Sequence, residues 1–139
     1  MVLEAIGQPL VMKILSVPVP NENQVLVKII ACGVCRTDLH IIDGELTAPK
    51  LPLVPGHEIV ARVIRTGKGT SHINTADIVS IPWLGYTCGK CKYCLKGQEN
   101  LCERALFTGY TINGGYAEYA VADERYCFSL PKQYANASG

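Results

Sequence analysis

Charge imbalance is what the chain most clearly lacks. Its 13 lysines and arginines stand against 12 aspartates and glutamates, a net charge of +1 over 139 residues. That balance provides no field for drawing in nucleic acid or an anionic membrane. No apolar run approaches the roughly 20 residues that span a bilayer, and no charged start followed by an apolar core marks a secretory leader. The expected setting is therefore the cytoplasm, with reduced thiols and neither nucleic-acid nor membrane partners. Aromatic residues are scarce at 7%, and no repeat or low-complexity tract appears. A dinucleotide-binding fingerprint is missing as well. Gly67-Lys68-Gly69 lacks the third glycine and no helical pattern follows it, so it reads as a turn. Asn136-Ala137-Ser138 matches a glycosylation sequon only by chance.

Cysteine, by contrast, is plentiful at seven residues. Cys88, Cys91, Cys94 and Cys102 are spaced Cys-x2-Cys-x2-Cys-x7-Cys, which folds a short loop around one tetrahedral metal ion. Gly89 permits the tight curl, and Lys90, Lys92 and Lys96 partly offset the thiolate charge. Four protein sulfurs leave no open coordination position, so this zinc is structural. An iron–sulfur cluster is the rival, but its ligand run brings the fourth cysteine sooner and follows it with proline, whereas Glu103 follows Cys102.

The remainder reads as short strands separated by turns. Alternating or apolar runs predict strands over Gln24 to Ile30, His57 to Ile64, Asp77 to Trp83, Gly115 to Ala122 and Tyr126 to Leu130. Prolines between residues 49 and 56, Gly67-Lys68-Gly69 and Asn113-Gly114-Gly115 punctuate them. At this length one domain buries about two-thirds of its unfolded surface, and the expected fold is a mainly β, barrel-like domain with few, short helices.

A second group of metal-binding residue types lies where loops meet strands. Cys32-Gly33-Val34-Cys35-Arg36-Thr37-Asp38-Leu39-His40 follows the first predicted strand, and Gly56-His57-Glu58 opens the second. A thiolate and an imidazole from such separate segments form an incomplete zinc shell with room for substrate. Spacing alone equally allows Cys32 and Cys35 to pack as small hydrophobes and His57 to be satisfied by backbone.

These segments, with the four-cysteine loop and Gly114-Gly115-Tyr116-Ala117-Glu118-Tyr119, occur in one order over essentially the whole chain. In that order the sequence resembles the N-terminal catalytic domain of zinc-dependent medium-chain alcohol dehydrogenases, a GroES-like β-barrel. The resemblance implies Cys35 and His57 as catalytic-zinc ligands, Asp38 as the carboxylate orienting His57, and Glu58 as the acidic residue beside the metal. It makes Cys32 a neighbour, with Glu58 preferred over Cys32 as a further ligand. It implies reversible oxidation of a small-molecule alcohol to an aldehyde or ketone with NAD or NADP. Thr37 would take the alcohol proton and pass it through the cofactor ribose to His40. Arg36 matches the position that pairs with the cofactor pyrophosphate, and Leu46 and Trp83 match substrate-pocket walls, although core packing explains those two nearly as well.

Relatives in that family continue into a nucleotide-binding Rossmann domain and are commonly homo-oligomers, and their third zinc cysteine falls beyond the position of Gly139; Cys127 lies too early to be it. The expectation is one GroES-like catalytic domain over residues 1–139, with a structural zinc loop at 86–104, no Rossmann domain and no activity in isolation. The alternative is a non-enzymatic, zinc-stabilised barrel serving as a binding or scaffold module. Near-neutral charge argues against a zinc-ribbon nucleic-acid binder. One departure from the family pattern is Ala76, where relatives usually place glycine before Asp77.

Overall fold

A computed structural model describes residues 1–135. The sequon at Asn136 lies outside the described residues. The longest strand, β1 (Gln24–Gly33), is paired antiparallel on both sides, with β2 (Glu58–Thr66) and with β6 (Tyr119–Asp123). Adding β3 (Ile78–Ile81) and β7 (Phe128–Ser129) gives a five-stranded sheet in the order β6-β1-β2-β3-β7. A separate two-stranded ribbon joins β4 (Leu84–Tyr86) to β5 (Leu106–Phe107).

Period-two patterning accounts for the core. Val25 and Val27, Ile59, Ala61 and Val63, Val79 and Ile81, and Ala120 and Ala122 all fall at alternate positions and bury together with Ile73 and Cys127. Each fully buried branched side chain contributes about 1.5–3 kcal/mol. Register shifts between β1 and β2 at Leu26/Val27 and at Ile29/Ala31 mark bulges in the ladder, the first with Ile64 of β2 unpaired and the second with Ile30 of β1.

The mainly β architecture agrees with the sequence expectation, and the differences lie at element ends. The run expected from Asp77 to Trp83 breaks at Pro82, which has no N–H for a ladder, and continues as β4. The run expected from Gly115 begins at Tyr119 instead, because Gly114 and Gly115 are used for a close backbone approach. Gly114 N–H donates to Val54 O (2.7 Å) and Gly115 N–H to Gly56 O (2.9 Å). A Cβ on Gly114 would stand 1.9 Å from Gly56 O, so no other residue fits there. The last predicted strand shortens to Phe128–Ser129, after a 3-10 turn over Glu124–Tyr126.

One element escapes the strand reading altogether: the seven-residue helix α1 (Arg36–Ile42). Its inner side drives Ile41 into a second, smaller core with Leu3 and Leu53, against which Leu10, Ile42, Leu46, Trp83 and Tyr110 pack. That anchorage sets the helix, and the cysteine just before it, against the mouth of β2. Among the described residues no helix is long and apolar enough to cross a membrane.

Ala76 adopts φ +76°, the left-handed region where a Cβ clashes with the following carbonyl. Replacing it should relieve that strain. Ala76→Gly is expected to raise unfolding stability by about 1 kcal/mol, the net of lost strain and gained chain entropy. Urea denaturation with an unchanged slope checks this; an unchanged or lowered midpoint would contradict it.

Candidate metal centres

The four-cysteine loop closes on itself. The sulfurs of Cys88, Cys91, Cys94 and Cys102 all lie within 4.8 Å of one another, with Cys91–Cys94 at 3.6 Å and Cys88–Cys94 at 4.0 Å. A tetrahedron of Zn–S bonds near 2.3 Å has edges of about 3.8 Å, so the spacing suits one zinc ion and leaves no coordination position open. Backbone N–H groups of Cys88 and Arg104 both donate to the Cys102 sulfur at 3.4 Å, as expected for a sulfur that carries charge. Backbone N–H donation at Lys90 pulls Cys88 down to about 6, while burial pushes Cys94 up to about 11. Lys92 does not turn inward; its ammonium pairs with Glu103 at 3.6 Å. The loop is moored to the sheet by Thr87, whose hydroxyl meets Tyr126 at 2.6 Å and whose carbonyl accepts from Arg125 at 3.1 Å.

The second centre is assembled from two segments around a buried carboxylate. Asp38, on the first turn of α1, is 2% exposed. Its Oδ2 accepts from the Cys35 N–H (2.9 Å) and the Tyr116 hydroxyl (2.8 Å), and its Oδ1 accepts from the Gly56 N–H (3.2 Å). The same Oδ1 stands 3.5 Å from Nδ1 of His57, a buried nitrogen with no closer polar partner. With Nδ1 turned to Asp38, Nε2 is the nitrogen left for a metal. Cys35, His57 and Glu58 each offer a ligand atom, all within 4.8 Å of one another. Glu58 reaches this position by lying across Gly33, its ladder partner, where an added Cβ would meet the carboxylate at 2.5 Å. A thiolate, an imidazole and a carboxylate form a donor set suited to zinc with a position open.

Cys32 stays outside that trio. Its sulfur packs between Gly56 and Gly115 and against the sheet core, and burial pushes its thiol up to about 11. Thr37 places its hydroxyl 3.7 Å from the Cys35 sulfur. His40, one turn further along the same face, contacts the Glu45 carboxylate through Nδ1. Arg36 is exposed at the start of α1 and takes part in no ion pair among the described residues. Trp83 meets the His57 ring edge-on at 5.0 Å, and Leu46 lies in the same apolar cluster.

Three contributors were not singled out as site residues from the sequence. Phe107 and Tyr110 stack on Trp83 at 5.1 and 5.6 Å and lie 6.4 Å from each other, so three clustered rings back the wall beside His57. Tyr116 donates to Asp38, and burial together with that carboxylate raises its hydroxyl well above the ordinary tyrosine value, which keeps it a donor. A buried tyrosine requires a partner for its O–H, but sequence alone does not say which.

Residues 21–132 match the model of the alcohol dehydrogenase GroES-like domain. The chain belongs to that family. This GroES-like domain is 48% identical over 131 residues to an alcohol dehydrogenase of Geobacillus stearothermophilus, covering 94% of the chain and 39% of that relative. A second alcohol dehydrogenase of the same organism is 52% identical over 115 residues, covering 82% of the chain and 34% of the relative. Among solved structures, an NAD-dependent alcohol dehydrogenase superposes with a TM-score of 0.87 at 33% identity, over 95% of this domain and 39% of that chain. A cobalt- and zinc-bound thermostable alcohol dehydrogenase from Pyrobaculum aerophilum gives 0.82 at 28% identity, over 93% and 40%. The GroES-like domain thus spans about two-fifths of the length of the relatives it matches.

Proposed function

We propose that this chain is the metal-holding catalytic domain, residues 1–139, of a zinc-dependent alcohol dehydrogenase that interconverts small-molecule alcohols and aldehydes or ketones with NAD or NADP. The observation that carries the reading is the Cys35–His57–Glu58 trio with the buried Asp38 behind His57. Cys35 and His57 hold the catalytic zinc, with Glu58 as the oxygen donor within reach. The loop at 86–104 holds a structural zinc through Cys88, Cys91, Cys94 and Cys102. When bound, zinc supplies a Lewis acid for the substrate oxygen and the nicotinamide cofactor supplies a hydride acceptor.

The chain's own residues provide the rest of the chemistry. Thr37, beside the Cys35 sulfur, accepts the alcohol proton as its own hydroxyl proton leaves toward His40, one turn along the same helical face, which exchanges it with water. Glu45, in contact with His40 Nδ1, fixes that ring so that the other nitrogen serves the exchange. Arg36 projects into solvent at the start of α1, where a cofactor pyrophosphate can pair with it. Trp83, Phe107, Tyr110 and Leu46 form an apolar wall that excludes water beside His57. In an enzyme of this kind the dinucleotide binds a Rossmann domain, and residues 1–139 taken by themselves are expected to turn over no alcohol.

A chimera tests this reading: the residues of this chain that match the Geobacillus alcohol dehydrogenase replace the matched segment of that relative, which keeps the rest of its own length. The chimera is expected to oxidise ethanol with a nicotinamide cofactor, and His57→Ala within it to lose more than about 100-fold in rate. A zinc-loaded chimera without turnover, or a His57→Ala form with full turnover, would refute the proposal.

A further inference from the structure

Tyr116 sits where two segments of the second metal centre meet. Its backbone docks beside the residues that lead into His57: Tyr116 N–H donates to Pro55 O at 3.0 Å, and the N-terminal ammonium of Met1 reaches Tyr116 O. Its ring lies directly over Gly56, which has φ +93° and where an added Cβ would come within 2.6 Å of the ring. Its hydroxyl then crosses to α1 and donates to Asp38 Oδ2 at 2.8 Å. One side chain therefore touches both the segment that carries His57 and the carboxylate that faces it.

We infer that Tyr116 is a positioning residue of this metal centre, orienting the Asp38 carboxylate so that Oδ1 is held for His57 Nδ1 and the opposite ring nitrogen faces the metal. The inference rests on the reading of Cys35, His57 and Glu58 as a metal site. Asp38 has three hydrogen-bond donors, and two of them are backbone groups placed by the chain, Cys35 N–H on Oδ2 and Gly56 N–H on Oδ1. Tyr116 supplies the one side-chain donor. Without it, Oδ2 of the buried Asp38 keeps a single protein donor, the Cys35 N–H. The carboxylate then gains freedom to rotate away from its 3.5 Å approach to His57. Partners of this kind, one bond removed from the metal, typically govern affinity by about 10- to 100-fold.

Tyr116→Phe isolates the effect because it keeps the ring that packs on Gly56 and removes only the hydroxyl. The probe is cobalt(II), titrated into the 139-residue chain against a competing chelator. The four-cysteine site is recognised by intense thiolate-to-metal absorption, and the mixed site by weaker bands of different energy. Wild type is expected to take up two equivalents. In Tyr116→Phe the mixed site should bind about tenfold more weakly with shifted d–d bands, while the four-cysteine site is unchanged and so reports that the fold is intact. Asp38→Asn provides the second arm: in that background Tyr116→Phe should have little further effect, because the two act through one contact. Two equivalents in wild type with identical affinity and spectrum in Tyr116→Phe would overturn the role of Tyr116 alone. Additive losses in the double variant would do the same, since they would make Tyr116 act through packing. A wild-type chain that binds one cobalt and loses nothing on His57→Ala would overturn the metal-site reading and this inference with it.

Discussion

Cys94→Ser is expected to remove one full equivalent of zinc and to leave the segment between Thr87 and Ala105 without fixed structure. The four thiols lie within 4.8 Å of one another, and among the described residues only short 3-10 turns at Cys94–Lys96 and Glu99–Leu101 organise the loop between them. It has no buried apolar residue apart from Cys102 itself. The free energy that orders it must therefore come from the metal, which in structural sites reaches about 10 kcal/mol, as large as the stability of a whole domain. Disorder should stop at Thr87, because its contacts with Tyr126 and Arg125 do not depend on the ion. Zinc per chain by native mass spectrometry and the positions of proteolytic cuts check both parts. Full zinc content with unchanged protease resistance between residues 88 and 102 would contradict the assignment.

The second large effect is expected at Asp38. Asp38→Ala strands three donors that all point at one buried carboxylate, from Cys35, Gly56 and Tyr116. Each unsatisfied buried donor costs about 1–3 kcal/mol, and some relaxation toward water is available at the more open Cys35 end, so roughly 3–5 kcal/mol of stability should be lost. The same substitution removes the partner of His57 Nδ1, so zinc content should fall from two to one per chain. Asp38→Asn keeps the shape and one acceptor, and should destabilise by less. Denaturant unfolding and metal analysis separate the cases; a loss below 1 kcal/mol for Asp38→Ala would mean that the donors find other partners.

What could be read in advance follows from how local each signal is. The four-cysteine loop was legible because all its ligands lie within one short stretch, so spacing alone encodes the geometry. The strands around Val25, Ile59, Val79 and Ala120 were legible because period-two burial leaves a direct trace in the residue order. Helix α1 was not, since seven residues give barely two turns and its inward anchor is chiefly Ile41. Pro82 could have divided the third strand in advance, as a residue without an N–H inside a predicted ladder. Asn113-Gly114-Gly115 read as a turn with a strand starting at Gly115, and the use of the two glycines as a close approach to Gly56 depends on a meeting of distant segments. For the second centre, residue types at Cys35, Asp38, His57 and Glu58 drew notice by resemblance, whereas Phe107, Tyr110 and Tyr116 did not. Their roles exist only after the ribbon and the Gly115 turn have folded against β2.

The reach of the Asp38 contacts also separates the two metal centres in time. The four-cysteine loop closes between Cys88 and Cys102, 14 residues apart, whereas Asp38 and Tyr116 are 78 apart. Chain entropy alone makes the longer closure roughly 1.5 kcal/mol harder, before the strands that carry its ends have paired. As the polypeptide leaves the ribosome, Asp38, His57 and the whole cysteine loop emerge before Tyr116 does. The loop can capture its ion while the other centre is still an open set of ligands, so on the proposed reading one zinc would accompany folding and the other follow it.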